Sequence, residues 1–305
     1  MTGPGLVMAE DQASPKPWCA RLGSSDELLD LTAAGPDVWT GTSPDYPWGW
    51  VYGGRIAAQA LKAASLASPA GFSPSTLNCT FLSPALCDLP RTHHVGRLAD
   101  TRRRAVRSVL VSQAGATVAH VVATLDSPVG GGDESIGDVE RIPEEVLEAA
   151  RRRRFRGPSL DIGLFRRRLL HAGPDHMAAL ITLDRPPASL SEAACLIAYA
   201  ADDLPSDAAR ALFGGESYLE GPGTSLWSLT GAYAIHFGTH QVGRELLFDV
   251  RTRGVLGSRA SVEGTVIDLA SGRVVAHCLQ QVFIRKRKKP GDRQRPDRAE
   301  EEKKA

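Results

Sequence analysis

A short sequence motif occurs twice in this chain, once in each half. Residues 114–125 read AGATVAHVVATL and residues 271–282 read SGRVVAHCLQQV, with Gly at the second position and Val-Ala-His at the fifth to seventh in both. Each copy follows an alternating apolar run, Val106–Val111 in the first half and Ala260–Leu269 in the second. Alternation on both sides of a glycine-containing turn is typical of a β-hairpin with long strands. The repeat therefore predicts two copies of one antiparallel unit.

Each half also carries one helix ahead of these strands. The first opens at Gly53-Gly54 with the sequence GGRIAAQALKAASLA, whose apolar residues share one helical face. The second follows a capping box at Ser189–Glu192 and is expected to span residues 190–202, with Pro205 stopping it soon afterwards. Helices so rich in small apolar residues are best buried inside a curved sheet. We therefore predict the α+β class and a tandem (double) hotdog, in which each half is a long helix wrapped by a curved antiparallel sheet. A parallel sheet fits less well, because the strands follow one another without intervening helices.

Changes in composition divide the chain into five segments. We expect a flexible N-terminus at 1–25, an N-terminal hotdog at 26–127, a connecting segment at 128–174, a C-terminal hotdog at 175–285 and a disordered charged tail at 286–305. The connecting segment contains the basic runs RRRRFR at 151–156 and RRR at 166–168. These arginines are predicted either to lie on a solvated face or to attract the phosphates of an anionic cofactor, and the sequence does not choose between the two.

The charge balance and the apolar runs exclude several classes of partner. Lys and Arg total 36 and Asp and Glu total 35, which gives no strong attraction to nucleic acid or to an anionic membrane. No apolar run approaches the roughly 18 residues of a membrane-spanning helix, and the first residues lack the pattern of a secretory signal. The five cysteines form no CxxC pair and the eight histidines no HExxH motif. We therefore expect a cytoplasmic protein without a metal or another cofactor.

Two polar pairs are candidates for chemistry. Gln280 and Gln281 stand in the second copy of the repeat where the first copy has Ala and Thr. Only one of two adjacent strand residues faces the core, and a buried amide needs hydrogen-bond partners. Asp202 and Asp203 end the second helix, where a carboxylate opposes the helix dipole and is therefore not placed for helix stability. The alternatives, an edge strand with both amides wet and a pair of solvated acids in a turn, stay open.

Two hydroxyls lie on the next predicted strand. Ser228 and Thr230 share one face of the segment SLWSLTGAYAIHF at 225–237. Hydroxyls on strands are usually structural, and neither residue lies in the GxSxG elbow of a serine hydrolase.

With these residues in place, the sequence resembles the acyl-CoA thioesterase II (TesB-like) family, which consists of tandem hotdogs. The first half matches through VYGGRIAAQAL, FSPSTLNCTFLSPA and a strand ending in ATLDSP, and the second half through AYAADDLP and AHCLQQVFIR. The resemblance covers about residues 40–127 and 178–285. It implies a hydrolase of acyl-CoA or of a carrier-bound acyl thioester, with no cofactor, in a homo-oligomer.

The resemblance also implies a set of site residues. The family positions a water against the thioester carbonyl with an Asp, a hydroxyl residue and a Gln, which here correspond to Asp202, to Thr230 or Ser228, and to Gln280. An ungapped match falls between the two hydroxyls, and Thr230 is favoured. By analogy, the backbone N–H groups of Gly53 and Gly54 would donate hydrogen bonds to the oxyanion.

Two other functions remain open from the sequence. A hotdog of this kind is also able to bind acyl thioesters or hydrophobic metabolites without hydrolysing them. A hydratase or dehydratase is less favoured, because no Asp-x-x-x-x-His segment accompanies His236 or His277.

Overall fold

A computed structural model describes residues 24–46, 49–127, 160–162, 165–173, 175–212 and 226–286. It contains four named helices: α1 (Ser25–Leu29), α2 (Gly53–Leu66), α3 (Leu190–Ala200) and α4 (Leu204–Ala211). The strands of the first half are β1 (Thr32–Gly35), β2 (Val38–Gly41), β3 (Ser73–Phe81), β4 (Arg91–Asp100), β5 (Arg104–Gln113) and β6 (Ala116–Asp126). Those of the second half are β7 (Leu160–Ile162), β8 (Phe165–Ala172), β9 (His176–Thr182), β10 (Leu226–Phe237), β11 (Glu245–Leu256), β12 (Arg259–Asp268) and β13 (Arg273–Lys286).

All of these strands form one antiparallel sheet with two similar halves. The order is β1-β2-β4-β5-β6-β3-β10-β13-β12-β11-β9-β8-β7. The halves meet where β3 pairs with β10, with Leu77 opposite Ile235. The order β4-β5-β6-β3 on one side is repeated in reverse as β10-β13-β12-β11 on the other. The tandem hotdog predicted from the repeat is confirmed.

The repeated motif forms the predicted hairpin in both halves. In the first half β5 and β6 pair around Ala114 and Gly115, which both have positive φ values. In the second half β12 and β13 pair around a turn that contains Gly272, also with positive φ. Glycine at the second position of the motif is therefore required by the turn, because a residue without Cβ adopts the left-handed conformation at no steric cost.

The two long helices pack against each other in opposite directions. The Ser191 hydroxyl, at the start of α3, donates to the Ser65 hydroxyl near the end of α2 at 3.0 Å. At the other end of the pair, a Cβ atom on Gly54 would lie 2.2 Å from the backbone oxygen of Tyr199. The small residues of both helices permit this close approach, and most of them are fully buried. The C-terminal end of α3 therefore meets the N-terminal end of α2.

The structure corrects the expected end of the second helix. α3 ends at Ala200, a turn follows at 201–203, and α4 begins at Leu204. Pro205 lies in the first turn of α4 and does not stop helix formation. Proline is tolerated there because the first N–H groups of a helix have no intrahelical partner.

Part of the expected connecting segment belongs to the sheet. Strands β7 and β8 pair with each other, and β8 pairs with β9 in the second half. Arg167 on β8 is 2% exposed and binds the carboxylates of Asp203 and Asp207, so it lies on no solvated face. Residues 128–159, which include the run at 151–156, lie outside the described residues, as do 1–23 and 287–305 of the expected flexible ends.

Candidate active site

The candidate site lies where the end of α3 meets the start of α2. Asp202 occupies the turn after α3 and is 7% exposed. Its Oδ2 atom accepts a hydrogen bond from the backbone N–H of Gly54 at 2.9 Å. The carboxylate thus follows the end of α3 but faces the N-terminal end of α2. There the partial positive charge of the backbone favours an anion. This contact offsets the unfavourable position of Asp202 at the end of its own helix.

Gly53 and Gly54 permit this approach because neither has a side chain. A Cβ atom on Gly53 would lie 2.7 Å from Asp202 Oδ2 and 3.0 Å from a ring carbon of Phe81. On Gly54 it would collide with the backbone of α3. The two glycines therefore admit the carboxylate and the neighbouring helix. The N–H of Gly54, expected to face an oxyanion, has the carboxylate as its partner instead.

Gln280 connects the last strand to this turn. Its Nε2 atom donates to the hydroxyl of Thr230 at 2.7 Å and to the backbone oxygen of Asp202 at 3.3 Å. Gln280 is 1% exposed, whereas its neighbour Gln281 is exposed on the other face of β13. The predicted buried amide is therefore Gln280, and it has the hydrogen-bond partners that burial requires.

The pairing register of β10 with β13 sets the position of the hydroxyl. Thr230 lies opposite Val282, and the register shifts between Thr230 and Ala232, so that Gln281 faces Ala232. Gln280 is two residues from Val282 on β13 and lies on the same face of that strand. Thr230 and Gln280 therefore share the inner face as diagonal neighbours, and Thr230 is 8% exposed.

The structure does not bring Ser228 into the same hydrogen-bonded group. Ser228 lies opposite Ile284, further along β10. Its hydroxyl oxygen is buried and forms no hydrogen bond within the part of the chain that the structure describes. Of the two hydroxyls, Thr230 is the one in contact with Gln280.

Burial changes the electrostatics of Asp202. Desolvation raises the pKa of its carboxyl group from 3.8 to about 6, while the nearby Thr230 hydroxyl and the Gly54 N–H act in the opposite direction. Its other oxygen, Oδ1, and the Oε1 atom of Gln280 are buried acceptors without a hydrogen-bond donor among the described residues. The site thus holds a carboxyl group that titrates near neutrality beside unfilled acceptor positions.

Three tyrosines surround the end of α3 and were not identified from the sequence. Tyr52 donates to the backbone oxygen of Tyr199 at 2.9 Å, and Tyr233 donates to that of Ala198 at 3.1 Å. The rings of Tyr52 and Tyr199 meet edge to face at 4.9 Å. The last carbonyl groups of a helix lack intrahelical donors, so the tyrosine hydroxyls satisfy them next to Asp202. A tyrosine directly before Gly53-Gly54 was the available signal.

The described residues contain no group of three or more His, Cys, Asp or Glu side chains arranged to hold a metal ion. A cleft of about 570 Å³ lies elsewhere, between α1 and the start of α3, and is lined by charged residues such as Asp26, Lys62 and Arg185. None of Asp202, Thr230 and Gln280 lines it.

Comparison with protein families decides the class of the chain. Residues 42–125 match the acyl-CoA thioesterase N-terminal domain, and residues 143–284 match the acyl-CoA thioesterase C-terminal domain. The chain belongs to the acyl-CoA thioesterase family. As a member of this family it is a thioester hydrolase that acts on acyl-CoA.

Solved structures agree with the fold of this acyl-CoA thioesterase. The tesB protein of Mycobacterium avium subs paratuberculosis is 22% identical, with 86% of this chain and 98% of that chain covered and a TM-score of 0.68. The acyl-CoA thioesterase II TesB2 of Mycobacterium marinum is 19% identical, with coverages of 87% and 98% and the same TM-score of 0.68. A comparison with curated protein sequences gives no significant match. Among the described helices of the thioesterase, none is long and apolar enough to cross a membrane.

Proposed function

We propose that Asp202 is the general base of this thioesterase and activates a water molecule that Gln280 and Thr230 help to hold. The observation that carries the proposal is the hydrogen-bonded group itself. Gln280 links the Thr230 hydroxyl to the backbone of Asp202, and the free acceptors Asp202 Oδ1 and Gln280 Oε1 lie at the same junction. Two such acceptors match the two protons of one water molecule.

The proposed reaction needs no covalent intermediate. The water oxygen forms a bond to the thioester carbonyl carbon while Asp202 takes one of its protons. The tetrahedral intermediate then breaks its C–S bond, and the CoA sulfur leaves with the proton from Asp202, which yields a free carboxylic acid and CoA. A carboxyl group with a pKa of about 6 suits both steps, because it is ionised at neutral pH and is still a competent proton acceptor. Thr230 and Gln280 contribute by orienting the water.

The backbone at the start of α2 supplies the proposed oxyanion contact. The first N–H groups of a helix have no intrahelical acceptor and point out of its N-terminus. Gly54 uses its N–H to hold the Asp202 carboxylate. We therefore assign the developing oxyanion to the N–H of Gly53, the other residue predicted for this role. The absence of a side chain on Gly53 would let the thioester carbonyl approach the carboxylate.

The position of the acyl chain, the identity of the acyl carrier and the cellular role of the enzyme also belong to this proposal. The acyl portion would lie between the helix pair and the sheet, and the CoA portion could be replaced by an acyl carrier protein. A role in lipid metabolism, a cytoplasmic location and assembly into a homo-oligomer are proposed from the resemblance and from the even charge balance.

The experiment is a thiol-release assay with a panel of acyl-CoA substrates of different chain length. The wild-type enzyme is compared with Asp202→Asn, Gln280→Ala and the control Gln281→Ala, whose side chain lies on the outer face of the same strand. We expect a loss of about 10²–10⁴-fold in kcat for Asp202→Asn, as for the removal of a general base. Gln280→Ala should also lose activity, and Gln281→Ala should keep it.

Full activity in both site variants would refute the assignment of these residues. A wild-type protein that binds every acyl-CoA but releases thiol from none would indicate the non-hydrolytic alternative. Circular dichroism and acyl-CoA binding, measured for each variant, show that the fold and the substrate site are retained.

A further inference from the structure

A buried cluster of charged side chains lies next to the turn at 201–203, which carries Asp202. Arg167 on β8 donates through Nη2 to Asp207 Oδ2 at 2.8 Å and through Nη1 to Asp203 Oδ2. Arg210 donates to the other oxygen of Asp207 at 2.5 Å. The side chains of Arg167, Asp207 and Arg210 are all at least 98% buried. Nothing in the proposed hydrolysis uses this cluster.

The cluster fixes the segment that carries Asp202. Asp203 is the next residue and occupies the N-cap position of α4 without a capping side-chain hydrogen bond, and Asp207 lies in the first turn of the same helix. Arg167 therefore ties both the turn and α4 to β8, which is hydrogen-bonded to β9 in the sheet. Because the backbone oxygen of Asp202 accepts from Gln280, a displacement of this turn would also separate Gln280 from it.

The cluster also gives the adjacent acids Asp202 and Asp203 different charge environments. Its four side chains carry two positive and two negative charges, and Asp203 faces Arg167. Asp202 forms no salt bridge with any described residue, and only the nearby Thr230 hydroxyl and the Gly54 N–H act against its desolvation. Asp203 is thus paired with a cation, whereas Asp202 keeps a buried and uncompensated carboxylate.

We propose that Arg167 is a positioning residue of this thioesterase: by binding Asp203 and Asp207 it holds the turn at 201–203 and reserves Asp202 as the acid that acts on water. The inference rests on the proposed function of Asp202. Arg167 itself touches neither substrate nor water. It acts through Asp203, whose charge it compensates at the position next to the general base.

The titratable groups that face Asp202 determine how its pKa responds to a change in the charged cluster. Tyr52, directly before α2, Tyr233 on β10 and Cys79 on β3 lie close enough for the charge of Asp202 to act on them. Burial raises the pKa of each of these three groups well above its ordinary value, so they stay neutral around pH 6. Asp203, in the turn itself, is the nearby acid that responds to Arg167. Burial raises the pKa of Asp203, the charge of Arg167 lowers it, and the charges of Asp207 and Asp202 raise it again.

The test is the pH dependence of kcat between pH 5 and 9 for Arg167→Met and Asp203→Asn. Arg167→Met leaves Asp203 uncompensated, so the midpoint of the acidic limb should rise by about one pH unit, which by itself lowers kcat at pH 7 about 2-fold. Displacement of the turn should lower kcat further, to about 10-fold or more below the wild type in total. Asp203→Asn leaves the cation in excess, so the midpoint should fall, and kcat on the plateau should fall less than in Asp202→Asn. The double variant should return the midpoint toward the wild-type value. Arg168→Met is the matched control, because Arg168 is a partly exposed neighbour on β8 that lies 3.5 Å from Glu245.

Opposite shifts in the two single variants distinguish positioning from a merely structural role, which would lower activity without moving the midpoint. Loss of one partner of a buried ion pair is strongly destabilising, so Arg167→Lys and Asp203→Asn decide the matter if Arg167→Met does not fold. The inference is overturned if folded Arg167→Met has a wild-type pH profile, or if the midpoint of Asp203→Asn does not fall. It is also overturned if Asp203→Asn loses as much activity as Asp202→Asn. Full activity in Asp202→Asn would instead refute the proposed function.

Discussion

The replacement Asp202→Asn is expected to inactivate the enzyme and to stabilise its fold at neutral pH. Asp202 is buried without a cationic partner among the described residues, and burial raises its pKa. Folding therefore removes the charged carboxylate from water at a cost. An asparagine amide keeps the shape and is able to accept the Gly54 N–H through its carbonyl oxygen, while it carries no charge to desolvate.

The size of this stabilisation follows from the difference between the pKa of Asp202 in the folded protein and the ordinary pKa of an aspartate. The pKa rises from 3.8 to about 6, and each pH unit corresponds to about 1.4 kcal/mol. A raised carboxyl pKa means that the folded state holds a proton that the unfolded state has already released. The resulting destabilisation is absent below pH 3.8, develops between pH 3.8 and 6, and is complete above pH 6. Its full size is about 3 kcal/mol at pH 7.5, and only about 1 kcal/mol remains at pH 4.5.

The assay is urea unfolding of the wild type and Asp202→Asn at pH 7.5 and pH 4.5, followed by circular dichroism. We expect Asp202→Asn to be more stable by about 2–3 kcal/mol at pH 7.5, and the difference to shrink by about 2 kcal/mol at pH 4.5. A difference that is equal at the two pH values would refute the electrostatic reasoning. So would an asparagine variant that is less stable than the wild type at pH 7.5.

Three further outcomes follow from the same geometry. The kcat for thiol release should decline as the pH falls through about 6, because protonated Asp202 no longer accepts a proton from water, and a profile that is flat from pH 5 to 8 would contradict this role. Thr230→Val should lower kcat about 10- to 100-fold whereas Thr230→Ser and Ser228→Ala retain most of it; the reverse result in steady-state assays would assign the hydroxyl to Ser228. Gly53→Ala should displace the carboxylate and lower kcat in a folded enzyme, whereas Gly54→Ala should lower the melting temperature, because its Cβ meets the backbone of α3. If Gly53→Ala and Gly54→Ala change kcat and the melting temperature to a similar extent, the different roles assigned to the two glycines are wrong.

The sequence was sufficient for the architecture because the pattern that specifies it is local. Alternation, a glycine turn and a preceding small-residue helix recur in each half, and the hairpins form where they were expected. The end of the second helix was not predictable from Pro205, since proline is compatible both with a stop and with the first turn of a new helix. The pairing of β8 was missed because its run of three arginines resembles a solvated segment. Arg167 nevertheless faces inward between two outward-facing neighbours, as strand alternation allows.

The residues of the site were predictable, but their contacts were not. The sequence singled out Asp202 at the end of the second helix and Gln280 in the second copy of the repeat, and the structure brings them together through a side chain to backbone hydrogen bond. The choice between Ser228 and Thr230 depends on which of them pairs next to Gln280 on β13, and the alternation of one strand does not reveal the register of the pair. The contact of Gly54 with Asp202 joins the two halves of the chain, so no local pattern encodes it.

The most direct test of direct attack by water at Asp202 is a single-turnover reaction in H₂¹⁸O with enzyme in excess over acyl-CoA. The acid released in this first turnover and the intact protein are both analysed by mass spectrometry after rapid quenching. General-base catalysis predicts one ¹⁸O atom in the acid, no acylated protein at any time, and release of both products slowed about 10²–10⁴-fold in Asp202→Asn. An acyl adduct on the protein, or a first-turnover acid without ¹⁸O, would contradict the account.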